Sequence, residues 1–186
     1  MIQLPAEKLL TSEKIYEGKI LNVRRDTVLI DGPGSSITTV REVVEHGSAV
    51  TIIAVNDGDE ILMVSQYRWA IGQTMLEAPA GRVESTETPY EAAFRELREE
   101  TGYGAGALQY LGAIWIAPGY STEHMFVYRA NGLYPDYLPA DADEDISVVA
   151  VPRNQLTTFV RDGFIVDAKT IAALLMADLV ADRSIA

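Results

Sequence analysis

Between Gly81 and Gly102 the chain crowds acidic residues into a pattern that few folds tolerate: Gly81-Arg82-Val83-Glu84-Ser85-Thr86-Glu87, then Arg95-Glu96-Leu97-Arg98-Glu99-Glu100-Thr101-Gly102. Thr88 before Pro89 predicts a helix start, with threonine at the N-cap and proline at the first helical position. Gly102 supplies the stop. Between them Ala92, Ala93, Phe94 and Leu97 form an apolar stripe. Glu96 and Glu100 are one turn apart and share a helical face, with Glu99 one turn after Arg95. Three glutamates on one helix surface repel one another unless a cation lies among them. Their hard oxygens suit Mg²⁺, which keeps several waters and shares its shell with substrate phosphates. Arg95 can pair with Glu87 or Glu99 and hold the cluster in shape. A merely solvated acidic face accounts for Glu99-Glu100 alone. It does not account for the spacing with two glycines and an arginine.

Position by position, Gly81, Glu87, Arg95, Glu96, Leu97, Glu99, Glu100 and Gly102 resemble the signature of the Nudix hydrolases. Tyr103 departs from it, standing where the family has a bulky aliphatic residue, but it is still large and mostly apolar. The resemblance runs over residues 15–180 and is sharpest in this stretch and two later loops. It implies an α/β fold, the Nudix α/β/α sandwich with a mixed β-sheet, and cleavage of a nucleoside diphosphate linked to another group. It also implies Mg²⁺, with Mn²⁺ able to substitute, held by Glu96, Glu100 and the Ala80 carbonyl, with Glu99 assisting. Glu87 and Arg95 then hold the ligands in place.

The net charge of −12 argues against a nucleic-acid partner, because there is no basic patch to displace counterions from a polyanion. The same charge repels a diphosphate at long range, so local arginines and bound cations must overcome it. The absence of cysteine excludes disulfides and thiolate metal sites. Residues 1–8 have neither the basic start nor the apolar core of a secretory signal, and no apolar run is long enough to span a membrane. The cytoplasm is the expected location.

Residues 15–20, 22–30 and 37–44 read as strands, with Asp31-Gly32-Pro33-Gly34 a turn between the last two. This front segment, 1–46, has little apolar surface of its own. We expect a small β-rich subdomain that meets a second subunit, making the protein a homodimer, ahead of a catalytic domain at 47–186. Within that domain 51–55 and 60–67 form a hairpin about Asn56-Asp57-Gly58-Asp59, and 75–78 leads into the acidic stretch. Strands follow near 108–116, 124–129 and 147–151, then helices at 153–161 and 167–181. Ile171, Leu174, Leu175 and Leu179 recur at helical spacing in the last of these.

Three segments outside the acidic stretch bear on the substrate. Gln66-Tyr67-Arg68-Trp69 with Leu76-Glu77-Ala78-Pro79-Ala80-Gly81 resembles the ADP-ribose and nucleotide-sugar pyrophosphatase branch. Arg68 at a strand end can fork onto a phosphate, or pair with Glu77, which stands beside it as a second candidate for the substrate pocket. Ala117-Pro118-Gly119-Tyr120-Ser121-Thr122-Glu123 resembles the loop of the ADP-ribose subfamily, with Pro118 fifteen residues after Tyr103. Its Pro-Gly turn delivers Glu123 toward the pocket, where a carboxylate can accept two ribose hydroxyls; the alternative is a plain loop glutamate. Asp141-Ala142-Asp143-Glu144-Asp145-Ile146 precedes a strand where related enzymes carry the glutamate that activates water. Glu144 is that candidate, and its aspartate neighbours favour proton uptake there. Arg41, in Arg41-Glu42-Val43-Val44-Glu45-His46-Gly47, reaches phosphate or adenine, or else pairs with Glu42 or Glu45.

Together these readings point to hydrolysis of ADP-ribose to AMP and ribose 5-phosphate, with Arg95, Glu99 and Glu144 as catalytic candidates. GDP-mannose and UDP-glucose remain alternative substrates. A nucleotide-sensing regulator is a further alternative, but it calls for an appended DNA-binding helix pair, for which there is no room.

Overall fold

The computed structural model describes residues 7–32, 35–139 and 145–181, with side chains described as far as Asp178. Its contacts divide the chain into two units, Met1–Gly47 with Trp115–His124, and Ser48–Ile114 with Met125–Ala186. In this division the segment 115–124 groups with the N-terminal residues, far from them along the chain.

The first unit is an antiparallel meander of β1 (Glu7–Glu17), β2 (Leu21–Gly32) and β3 (Ser35–His46). The first strand both starts and ends earlier than the sequence suggests; it ends at Glu17 because 18–20 form the turn, closed by Gly18 N–H to the Leu21 carbonyl at 3.1 Å. Every residue of β1 is exposed, including Leu9, Leu10, Ile15 and Tyr16. The 115–124 segment docks on the end of β3. Val44 N–H donates to the Tyr120 carbonyl at 2.7 Å, and Thr122 N–H donates back to the Val44 carbonyl at 3.0 Å. Pro118-Gly119 makes the expected turn, closed by Tyr120 and Ser121 N–H groups on the Ala117 carbonyl at 3.1 and 2.8 Å.

The second unit contains β4 (Ala49–Val55), β5 (Glu60–Arg68), β6 (Gln73–Glu77), β7 (Ala80–Arg82), α1 (Pro89–Thr101), β8 (Tyr103–Trp115), β9 (His124–Pro135), β10 (Ile146–Pro152), α2 (Leu156–Arg161) and α3 (Ala168–Ala181). The outer ends of β8 and β9 run into the 115–124 segment. Sheet order is β10-β5-β4-β9-β8, with β6 on β5 and β7 on β4. The sheet is mixed: β4 runs parallel to β9 and antiparallel to β5 and β7. The β4–β5 turn is an Asx turn in which Asn56 Oδ1 accepts from the N–H groups of Gly58 and Glu60, both at 2.9 Å. The helix expected over 153–161 is broken into a 3₁₀ turn, Arg153–Gln155, followed by α2.

β4 is apolar along its whole length apart from Thr51, and every residue is buried, as a strand covered on both faces should read. Its alternation builds two cores. Val50, Ile52 and Ala54 pack with Ala92, Ala93 and Leu97 of α1. Ile53 and Val55 pack with Ile165 and with Ala173 and Ala177 of α3. With α1 on one face and α3 on the other, this unit is an α/β/α sandwich. Leu97 is fully buried, and its truncation to alanine should cost about 2–5 kcal/mol. Among the described residues no helix is long and apolar enough to cross a membrane.

Candidate active site

Helix α1 begins where the sequence places it. Thr88 Oγ1 accepts the Glu91 N–H at 3.3 Å, and Glu91 Oε2 accepts the Thr88 N–H at 2.8 Å, a reciprocal capping box with Pro89 at the first position. Gly102 ends the helix in the left-handed conformation, φ 76°. With both ends fixed, the Glu96–Glu100 face is aimed at the short strand β7, which pairs Thr51 with Ala80 and Val50 with Gly81. The preceding Pro79 carbonyl accepts from Ile52 N–H at 2.9 Å and from Thr51 Oγ1 at 3.2 Å.

Glu96 and Glu100 are buried, 8% and 5% exposed. Glu100 Oε2 accepts the Ala80 N–H at 2.9 Å. Glu96 lies over Gly81, where a side chain would collide with its carboxylate. Arg95 organises the rest. It forks onto Glu87 through Nε at 3.1 Å and Nη2 at 2.7 Å, and Nη2 also donates to the Arg82 carbonyl at 3.0 Å. Nη1 donates to Glu96 Oε1 at 2.8 Å and to Glu99 Oε2 at 2.7 Å. Hydrogen bonding to Glu87, with the charge of Glu96 and hydrogen bonds to Glu99 and Glu96, holds the Arg95 proton more tightly than usual in spite of burial. The Arg95 fork holds the Glu87 carboxyl below its ordinary range, with help from the Glu84 N–H. The sequence left Glu87 and Glu99 as alternative partners for Arg95; the structure pairs it with both.

The four predicted metal ligands, Ala80, Glu96, Glu99 and Glu100, therefore meet at the junction of β7 and α1. Among the described residues, no three or more His, Cys, Asp or Glu side chains are grouped so as to hold a metal ion. Arg95 engages Glu96 and Glu99 in this arrangement. That still fits Mg²⁺, which binds through one or two carboxylates and fills its shell with water and substrate phosphate. Two buried carboxylates lie beside β7, where Gly81 leaves room for Glu96, and their hard oxygens suit such an ion.

Arg68 takes the carboxylate alternative considered from sequence. Its Nε and Nη2 fork onto Glu77 Oε1 and Oε2, both at 2.8 Å. Glu77 is only 2% exposed. Its carboxylate also accepts from Lys169 Nζ, which donates in turn to Asp167 Oδ2 at 2.8 Å. Burial pushes the Glu77 carboxyl up, but hydrogen bonds and charge from Arg68 and Lys169 more than offset it, leaving it below the ordinary range. Thr170 Oγ1 accepts the Ala78 N–H at 2.8 Å, fastening the residues that lead to Ala80. Sequence reasoning missed Asp167, Lys169 and Thr170. The signal available was a lysine in the first turn of a helix, where the macrodipole disfavours a cation.

Arg41 and Glu123 belong to the N-terminal unit. Arg41 forks onto Glu7 through Nη2 at 2.6 Å and Nε at 3.1 Å, and this corrects the expected pairing with Glu42 or Glu45. Glu45 instead meets Arg24 at 3.1 Å. Glu123 is partly buried, with its N–H on Ser121 Oγ at 3.1 Å. Glu144 lies outside the described residues, and its neighbour Asp145 immediately precedes β10.

A strand glycine facing two buried glutamates, one of them tied by an arginine to a third and a fourth, marks a class of hydrolase. The NUDIX domain matches residues 45–174, and the chain belongs to that family. It is 35% identical over 171 residues to an ADP-ribose pyrophosphatase of Bacillus subtilis (strain 168), covering 90% of each chain. It is 32% identical over 176 residues to a methanol dehydrogenase activator of Bacillus methanolicus, covering 94% of each. Among solved structures it is similar to an ADP compounds hydrolase, with a TM-score of 0.85 and 25% identity, covering 99% of this chain and 98% of the other. The protein is a Nudix hydrolase.

Proposed function

We propose that this enzyme hydrolyses the diphosphate bond of ADP-ribose to AMP and ribose 5-phosphate, using Mg²⁺ or Mn²⁺. The observation that carries the chemistry is the pair of buried carboxylates beside Ala80 and Gly81 of β7, Glu96 held by Arg95 and Glu100 by the Ala80 N–H. The resemblance to an ADP-ribose pyrophosphatase along almost the whole chain supports the substrate. The other relative is named for activating another enzyme. In this chain the intact carboxylate and arginine set supports turnover.

In this reading Glu96, Glu100 and the Ala80 carbonyl would hold the cation, with Glu99 assisting. When bound there, the cation would supply positive charge to offset that of the diphosphate. Arg95 fixes the directions of Glu87, Glu96 and Glu99. Arg68 offers its guanidinium to a phosphate, Glu123 accepts ribose hydroxyls, and Arg41 contributes from β3. Water attacks one phosphorus, the bridging P–O bond breaks, and the water's proton passes to Glu144.

We also propose a homodimer formed through residues 7–46, since β1 leaves Leu9, Leu10, Ile15 and Tyr16 open to solvent. Light scattering at micromolar concentration should give twice the chain mass, and a monomer would contradict this. The substrate is tested with a panel of ADP-ribose, GDP-mannose and UDP-glucose with Mg²⁺, coupled to a phosphatase. ADP-ribose should give the highest kcat/KM; preference for another member of the panel would reassign it.

A further inference from the structure

Glu77 is buried and carries one negative charge, yet two cations share it. Arg68 Nη2 and Lys169 Nζ both donate to Oε2, while Oε1 receives only Arg68 Nε among the described contacts. The two cations differ in freedom. The Lys169 side chain is 13% exposed and anchored a second time on Asp167, whereas that of Arg68 is 39% exposed at the end of β5. Asp167 is itself fixed, accepting the N–H of Thr170 at 3.0 Å and its Oγ1 at 2.5 Å. A lysine in the first turn of α3 works against the helix macrodipole, so its position calls for a local reason. Burial supplies one, since a buried carboxylate stripped of its counter-ion is strongly destabilising.

We propose that Lys169 is a standby counter-ion: it keeps Glu77 paired so that Arg68 can turn from Glu77 to a substrate phosphate without stranding a buried charge. This rests on the reading of Arg68 as a phosphate contact. Lys169 acts through Arg68 and is a positioning residue. It does not touch the substrate. Without it, Glu77 would depend on Arg68 alone, and binding a diphosphate would require breaking that fork.

The test is affinity for the α,β-methylene analogue of ADP-ribose with Mg²⁺, measured by calorimetry, beside kcat for ADP-ribose. Lys169→Met should weaken the analogue by about 10- to 100-fold, while kcat at saturation stays within about threefold. Adding Glu77→Gln should restore most of the affinity, because a neutral amide no longer traps Arg68. Proportional loss of affinity and kcat that Glu77→Gln does not restore would reduce Lys169 to a structural residue and overturn the proposal. Unchanged affinity in Lys169→Met would also overturn it, provided Arg68→Met weakens binding. Unchanged affinity in Arg68→Met would remove the phosphate reading and this inference with it. If Lys169→Met does not fold, Glu77→Gln and Glu77→Gln/Lys169→Met ask the same question. The two should bind alike, since Lys169 then has no charge to hold, and a further loss in the double variant would count against the idea.

Discussion

A Cβ at position 81 would lie 1.8 Å from Glu96 Oε1, so the glycine is required by the carboxylate above it. The obstacle is the flexible end of a side chain, and the backbone at Gly81 is not left-handed. Gly81→Ala should therefore fold, with stability changed by about 1 kcal/mol, while displacement of the Glu96 carboxylate lowers kcat by roughly 10²-fold or more. Thermal melts beside steady-state rates check this. Loss of folding with loss of activity would mean that the glycine serves the backbone.

Arg95 relieves repulsion among Glu87, Glu96 and Glu99, and the proposed divalent cation would act on the same cluster. Arg95→Gln should destabilise the metal-free protein by about 2–4 kcal/mol, because the carboxylates it holds are partly or fully buried. Added Mg²⁺ should then raise its melting temperature more than that of the wild type, since binding stabilises the state in which the carboxylates are gathered. Equal shifts in both proteins would show that cation and guanidinium act on separate groups.

Stability should fall on acidification in a definite window. Glu77 and Glu87 have native pKa values below their unfolded ones. Each therefore contributes stability that is fully present above the unfolded value, roughly pH 4.3, and is lost as pH falls through the lower native value. Melting temperature followed from pH 6 downward should drop less steeply in Glu77→Gln than in the wild type, although the variant starts lower. Parallel curves would mean that Glu77 is not depressed in the native state.

Helix α1 was legible because its signals are local: Thr88-Pro89 at one end, Gly102 at the other, and an i, i+4 glutamate pair between them. The Arg95 partners were legible for the same reason. What sequence did not reveal depends on pairings distant along the chain. Arg41 meets Glu7 because β1 and β3 flank β2, and Lys169 reaches Glu77 because α3 packs beside Ala78, the residue after β6. The grouping of 115–124 with β3 likewise rests on hydrogen bonds between Val44 and residues more than seventy positions away.

The proposed base is tested by charge removal. Glu144→Gln should lower kcat by roughly 10²–10⁴ with little change in KM, because the residue accepts a proton and is not a metal ligand in this scheme. Asp143→Asn and Asp145→Asn should do much less. A severe aspartate variant beside a mild Glu144→Gln would move the base by one residue. Three mild variants would direct the search to Glu99.

The central claim is that Glu96 and Glu100, with a divalent cation, break the diphosphate bond of ADP-ribose. The most direct measurement is chromatography of the products from ADP-ribose, with wild type and Glu100→Gln, in Mg²⁺ and in excess chelator. The wild type in Mg²⁺ should yield equal amounts of AMP and ribose 5-phosphate, with no turnover in chelator and a loss of roughly 10²–10⁴ in the folded variant. Full activity in chelator, or a near wild-type rate in Glu100→Gln, would contradict it.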